Sequence, residues 1–148
     1  MTAEVPGFAR TRYAVRPQAA LAVDATFVEN HLRTSGLLLL DARAAIRYRG
    51  EAEPIDPVAG RIPGAQNRFC GENLRADGRF KDSEALRHEF GALLGDREPG
   101  EIVHYCGSGV AACHNALAME IAGFPGSRVY VGSWSEWIAD PRRPQEKG

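Results

Sequence analysis

Apolar positions along the chain fall into two alternating patterns. Short continuous runs, Leu37-Leu38-Leu39-Leu40, Ile102-Val103-His104-Tyr105 and Val129-Tyr130-Val131, have the length and composition of strands covered on both faces. Between them the spacing is helical. Asp24 is placed to cap a helix with Phe27, Val28 and Leu32 on one face, after a short apolar piece from Leu21 to Val23. Asp82 or Ser83 caps a second helix, whose Leu86, Phe90, Leu93 and Leu94 recur at helical spacing up to Gly95. A third follows Gly109; Val110, Cys113, Leu117 and Ile121 mark its expected inward face and Gly123 its end. Strands alternating with helices predict an α/β fold: an open parallel sheet with helices on both faces.

Two stretches lack period. Residues 1–20 read as a linker-like lead-in, leaving residues 21–148 as one domain. Residues 42–80 form a long loop punctuated by Gly and Pro, with a short strand expected at Ala65 to Asn67. Five arginines (Arg43, Arg47, Arg49, Arg61, Arg68) precede Cys70 there, and loops of this length in compact domains are functional or disordered. A functional loop is expected.

Composition narrows the classes. The 148 residues suit one domain, at roughly 150 residues per domain. A net charge of −1 with no long block of either sign lacks the signature of a nucleic-acid or membrane-surface partner. No apolar run approaches the roughly 18 residues of a membrane span, and residues 1–11 lack a secretory signal pattern, so residence in the cytoplasm is expected. Cys70, Cys106 and Cys113 are odd in number and do not space as C-x-x-C, which argues against a disulfide framework or a zinc site. The four histidines make no metal-ligand spacing. Neither a metal nor a cofactor is expected.

Candidate chemistry centres on Cys106. In open parallel sheets ligands bind beyond the carboxyl ends of strands, where this parse puts Asp41 and Cys106. Gly107 and Gly109 let the backbone curl so that the N–H groups of Gly107, Ser108, Gly109, Val110, Ala111 and Ala112 form an anion cradle around the sulfur, merging with the open amides of the helix. Nucleophilic cysteines act in such settings. Cys113 is expected to pack inward; Cys70 is either core filler or a resolving thiol. His104, two positions before Cys106 on a strand, could share its side as a base, but the expected role is a hydrogen-bonded core residue. His31, His88 and His114 read as helix-surface residues. Cysteine phosphatases place a histidine before the cysteine and an arginine at the end of the loop; here those positions are Tyr105 and Ala112, which disfavours phosphate-ester hydrolysis. Asp41 is expected to anchor loop backbone.

Cys106-Gly107-Ser108-Gly109-Val110-Ala111-Ala112 resembles the active loop of rhodanese-type sulfurtransferases, and its Gly-Ser pair is more similar to the mercaptopyruvate-preferring members. Leu39-Leu40-Asp41-Ala42-Arg43, Gly60-Arg61-Ile62-Pro63-Gly64-Ala65 and Gly132-Ser133-Trp134-Ser135-Glu136-Trp137 extend the resemblance over about residues 21 to 140. It is strongest to the C-terminal, catalytic half of tandem two-domain enzymes, whose interdomain linker Val15-Arg16-Pro17 resembles; an N-terminal rhodanese half is expected to lie outside this chain. The resemblance implies a rhodanese-like sheet of about five strands and a Cys106 persulfide. That persulfide carries sulfur from a small donor, 3-mercaptopyruvate or thiosulfate, to cyanide or a thiol. The alternative is a non-turnover module for sulfur carriage or protein interaction that needs the absent half. By the resemblance Arg47 holds the donor's carboxylate, Arg61 replaces the family's usual histidine, either as a substrate contact near the pocket or packed at its rim, and Ser108 is the serine of a relay completed by the other half. Asp56 falls near a second donor-binding arginine of the mercaptopyruvate enzymes, and Ala111 stands where a threonine is common. Trp134 supports the site, by lining its mouth or by closing the core.

Overall fold

The computed structural model describes residues 7–32 and 36–148; the start of the lead-in, residues 1–6, lies outside the described residues. Residues 7–18 take no regular structure and are exposed, and a single 3-10 turn, Ala19–Leu21, leads into the sheet. Among the described residues five strands and five α-helices follow, β1 (Ala22–Val23), α1 (Ala25–His31), β2 (Leu38–Asp41), α2 (Ala45–Tyr48), β3 (Gln66–Asn67), α3 (Ser83–Leu94), β4 (Ile102–Tyr105), α4 (Val110–Ile121), β5 (Arg128–Tyr130) and α5 (Ser133–Trp137), with 3-10 turns at Cys70–Asn73 and Pro99–Glu101. The five strands form one sheet in the order β1-β5-β4-β2-β3, every pair parallel. Leu38 to Asp41 pair in register with Ile102 to Tyr105, so the two most buried strands form the centre.

Alternation along these strands makes two cores. Leu39, Val103 and Tyr105 face one side with Ala25 and Val28 of α1 and Trp134 and Trp137 of α5. Leu38, Leu40 and Ile102 face the other, against Leu86, Phe90 and Leu94 of α3 and Ala118 and Met119 of α4. Each fully buried Leu is worth about 1.5–3 kcal/mol, which is what holds helices on both faces. The caps read from sequence form: Asp24 Oδ1 accepts the N–H of Phe27 at 2.8 Å, and Asp82 Oδ1 that of Ala85 at 2.8 Å.

One face is corrected. Sequence spacing put Val110, Cys113, Leu117 and Ile121 on the inner side of α4, yet Val110 is 77% and Leu117 51% exposed and Cys113 is exposed, while Ile121, partly buried, does pack against the core. The buried face is Ala112, Asn115, Ala118 and Met119. Asn115 fixes this rotation: its Nδ2 donates to the Arg68 carbonyl at 2.8 Å and its Oδ1 accepts from Asn73 Nδ2 at 2.7 Å. A buried amide must be paired, and the small alanines beside it let the helix lie close to the sheet. The long loop contains a short helix, α2, that no capping residue signalled; Ala44 makes no side-chain cap.

Candidate active site

Neighbouring strands β2 and β4 send their connections in opposite directions, β2 outward to β3 and β4 toward β5. Such a switch point opens a crevice beyond the strand ends. Ala42 closes its floor, donating to the Tyr105 carbonyl at 2.8 Å and accepting from the Cys70 N–H at 3.1 Å. Cys106 follows β4 directly and is 3% exposed. Its side chain packs with Ala42 and Ala112 at the base of a cavity of about 360 Å3.

The sulfur receives a backbone hydrogen bond: the Gly109 N–H donates to Cys106 Sγ at 3.1 Å. Gly109 is also the N-cap of the twelve-residue helix α4, so the helix's open amides and positive dipole end lie at this loop. Its φ of +88° and a Cβ that would stand 2.5 Å from the Val131 carbonyl oxygen reserve the position for glycine. Of the expected cradle, Gly107, Ser108, Val110 and Ala111 line the cavity, while Gly109 and Ala112 are buried behind it.

The first turn of α5 clamps the other side of the loop. The Cys106 N–H donates to Ser133 Oγ at 3.1 Å, and that hydroxyl donates to the Tyr130 carbonyl at 2.9 Å. The N–H groups of Trp134 and Ser135 donate to the carbonyls of Cys106 and Gly107, both at 2.9 Å. Ser133 is held at φ +55°, left-handed for a residue with a Cβ. Strain of this kind persists where surrounding bonds over-determine it. The Gly132 to Trp137 segment had shown its sequence resemblance but not this clamp, because a strained serine leaves no mark in residue type.

Charge enters from the α2 loop. Arg47 donates through Nε to both oxygens of Glu53 at 3.0 Å, meets Glu53 again through Nη2 at 2.7 Å, and reaches Asp56 Oδ2 through Nη2 at 3.1 Å. Asp56 Oδ1 in turn accepts the Ser135 hydroxyl at 2.6 Å. Burial opposes the charge of Glu53, but bonds from Arg47 and from the N–H groups of Asp56 and Ile55 outweigh it and hold the carboxyl below its ordinary range. Behind them Arg43 forks onto Asp41, with Nη2 to Oδ2 at 2.6 Å, donates to the Gly60 carbonyl at 2.7 Å and lies 5.0 Å from the centre of the Trp134 ring. Asp41 is fully buried, and its Oδ1 accepts the Arg43 N–H at 2.9 Å, so it anchors backbone. Trp134 is buried core, donating from Nε1 to the Val58 carbonyl at 2.9 Å, and does not line the cavity. Glu53, Asp56, Ser133 and Ser135 were not singled out as binding groups from sequence. Acids spaced six and nine positions after Arg47 are the one signal that could have found two of them.

Arg61 is placed elsewhere. Its guanidinium pairs with Glu146, donates to the Gly148 carbonyl and stacks 4.5 Å from the centre of the Tyr48 ring. It lines no part of the cavity, so the expected substrate contact is replaced by an anchor for the C-terminal segment. His104 is fully buried, its Nε2 3.2 Å from Met119 Sδ, and burial pushes its pKa down to about 3, so the ring is neutral and in the core. Cys70 lines the cavity wall; burial raises its thiol pKa, and a charge on Cys106 raises it further. Among the described residues no three His, Cys, Asp or Glu side chains group to hold a metal ion, and no helix is long and apolar enough to cross a membrane.

A thiol at the switch point of a five-stranded parallel sheet, bonded by one loop amide at the N-terminus of a twelve-residue helix, makes this an α/β protein with a cysteine-lined cavity. The chain belongs to the rhodanese-like domain family, whose model matches residues 24–140. It is 57% identical over 133 residues to a probable 3-mercaptopyruvate sulfurtransferase of Pseudomonas aeruginosa, covering 90% of this chain and 47% of that protein. It is 42% identical over 126 residues to the putative thiosulfate sulfurtransferase SseB of Mycobacterium tuberculosis, covering 83% and 43%. The chain thus spans about half the length of the curated relatives it matches. Among solved structures it resembles EanB as a cysteine persulfide in a tetrahedral intermediate state with ergothioneine, with a TM-score of 0.75, 29% identity, and 87% of this chain and 32% of that one covered.

Proposed function

We propose that the chain is a sulfurtransferase that carries sulfane sulfur on Cys106. The observation that carries this reading is the Cys106 sulfur at the base of a cavity, bonded by the Gly109 N–H at the mouth of α4. As a thiolate, Cys106 attacks the transferable sulfur of the donor. From thiosulfate the S–S bond breaks and sulfite leaves; from 3-mercaptopyruvate the C–S bond breaks and the carbon takes up a proton to leave as pyruvate. Both give the same persulfide anion, whose charge the loop amides stabilise without a metal. Cyanide or a thiolate then attacks the outer sulfur and releases the Cys106 thiolate. Gly107, Ser108, Val110 and Ala111 frame the sulfur, Gly109 and Ala112 support it, and Arg47 orients the donor's charged end.

The relatives are named as sulfurtransferases, which favours turnover over a non-turnover module. We further read residues 1–20 as a linker, residues 21–148 as the catalytic domain, and a second rhodanese domain as the partner in donor selection. The reaction is placed in the cytoplasm, where thiols stay reduced and supply acceptors. Intact mass after exposing the reduced protein to thiosulfate or 3-mercaptopyruvate tests the reading. The expected result is a gain of about one sulfur atom, ~32 Da, that cyanide removes and Cys106→Ser abolishes. No gain from either donor refutes it.

A further inference from the structure

The two donors of the proposed reaction differ in one requirement. Thiosulfate gives up sulfite, which leaves as it is, but the carbon freed from 3-mercaptopyruvate must take up a proton. A site that cleaves that donor therefore needs an acid. Few of the residues lining the cavity have a proton to give. Arg43 and Arg47 are guanidiniums, which do not deprotonate in proteins. Asp56 accepts through both oxygens, from Arg47 Nη2 at 3.1 Å and from the Ser135 hydroxyl at 2.6 Å. The Ser108 and Ser135 hydroxyls are far weaker acids than a thiol, and Cys106 is engaged as the nucleophile. That leaves the Cys70 thiol, to which the reaction as written gives no role.

Its place follows from the row of strand ends. The Ala42 N–H donates to the carbonyl of Tyr105, the residue before Cys106, and the Ala42 carbonyl accepts the Cys70 N–H, so Ala42 stands between the two cysteines. Cys70 packs against the cluster of Ala42, Cys106 and Ala112, is half-buried and carries a free thiol. Both cysteines line the cavity. Burial holds the Cys70 thiol in its protonated form, and so does the negative charge that Cys106 carries when it is ready to attack. Arg47 Nη1 makes no hydrogen bond among the described residues and lies toward the active loop, 3.8 Å from a Cβ built on Gly107, so it is the free end for the donor's carboxylate.

We propose that Cys70 is the catalytic acid for 3-mercaptopyruvate: its thiol protonates the donor carbon as Cys106 takes the sulfur. The assignment rests on the persulfide reading above. With the donor's carboxylate on Arg47 and its sulfur against Cys106, the carbon that must be protonated lies inside the cavity that Cys70 lines. The Cys106 thiolate bonds to the donor sulfur, the C–S bond breaks, and its electron pair goes to the carbon as an enolate. The enolate takes the Cys70 proton and leaves as pyruvate. The proton that the donor brought on its own thiol then passes from the persulfide to Cys70, which restores the acid and leaves the persulfide anion on Cys106. No outside oxidant or reductant enters. Thiosulfate needs no such step, because sulfite departs with the electron pair on its sulfur.

Comparing the donors tests the acid. Intact mass sampled over time at saturating donor reads the rate of persulfide formation from thiosulfate and from 3-mercaptopyruvate in wild type, Cys70→Ala and Cys70→Ser. The readout is the ratio of the thiosulfate rate to the 3-mercaptopyruvate rate, from which general damage to the pocket cancels. It should rise about a hundredfold in both variants, the lower end of what a positioned acid contributes, since serine keeps the size of cysteine and not its acidity. A ratio unchanged from wild type overturns the assignment, and so does wild-type protein that loads from thiosulfate but not from 3-mercaptopyruvate. The solvent isotope effect needs no variant. In D2O, wild-type loading from 3-mercaptopyruvate should slow more than loading from thiosulfate, and equal slowing overturns the role even if both variants fail to fold. Wild-type protein that gains sulfur from neither donor fails the sulfurtransferase reading, and the assignment falls with it.

Discussion

Gly109→Ala is the sharpest test of how the active loop is built. The residue sits at φ +88°, and an added Cβ would stand 2.5 Å from the Val131 carbonyl oxygen, a backbone atom that cannot swing aside. Holding an L-residue in that region costs roughly 1–2 kcal/mol. Relieving the clash requires the loop to move off β5's exit, which breaks the Gly109 N–H bond to Cys106 Sγ, worth about 1 kcal/mol. The total is about 3 kcal/mol, or roughly 10 °C in Tm for a chain of this length. Gly107→Ala is the contrast. Its nearest obstruction is Arg47 Nη2 at 3.4 Å, the end of a flexible side chain, and its backbone is not left-handed. It should change Tm by no more than a few degrees. Thermal unfolding followed by circular dichroism measures both, and intact mass after exposure to donor at 15 °C measures sulfur loading of the folded variants. Gly109→Ala is expected to load sulfur much more slowly than wild type. A Gly109→Ala protein that melts within 2 °C of wild type and loads sulfur normally would refute the account of the cradle.

Three further outcomes follow from the same geometry. Ser133→Ala and Ser133→Gly both lose the hydroxyl that accepts from Cys106, but only alanine keeps the strained φ of +55°; glycine should therefore be the more stable by about 1 kcal/mol in denaturant titration, and the reverse order would contradict the strain. Arg61→Ala should lower stability by about 1–3 kcal/mol with the donor KM unchanged, because it anchors Glu146 and Gly148, whereas Arg47→Ala should raise the donor KM more than it lowers Tm; steady-state kinetics beside melting curves separate the two. His104 binds protons less readily folded than unfolded, its pKa falling from the ordinary 6.5 to about 3, so its contribution is complete above pH 6.5 and is lost as pH falls toward 3. His104→Leu should flatten the stability loss of about 1.4 kcal/mol per pH unit between pH 6 and 4, and an unchanged slope would assign the loss to other groups.

The strand runs and helix caps were legible because each rests on local physics. A four-leucine run has few places to go but a sheet centre, and Asp24 and Asp82 serve amides three residues away. Cys106 was legible for the same reason, since glycines beside a strand end signal a turn whatever the rest of the chain does. What failed depended on distant partners. The face of α4 was misjudged because size pointed to Val110 and Leu117, while the orientation is set by Asn115 bonding to Arg68 and Asn73 more than forty positions away. The resemblance put Arg61 near the pocket in place of the family's usual histidine, while its partners lie at the far end of the chain.

Charge pairing explains why the ligand's character was the least legible part of the site. A lone Arg47 in sequence reads as an open cation for any carboxylate, and Asp56 reads as a lost second arginine. In three dimensions Asp56 is bound to that same guanidinium, so the two positions are a single feature with a surplus negative charge. A departure from a family pattern that seems to subtract a contact thus installs one of opposite sign.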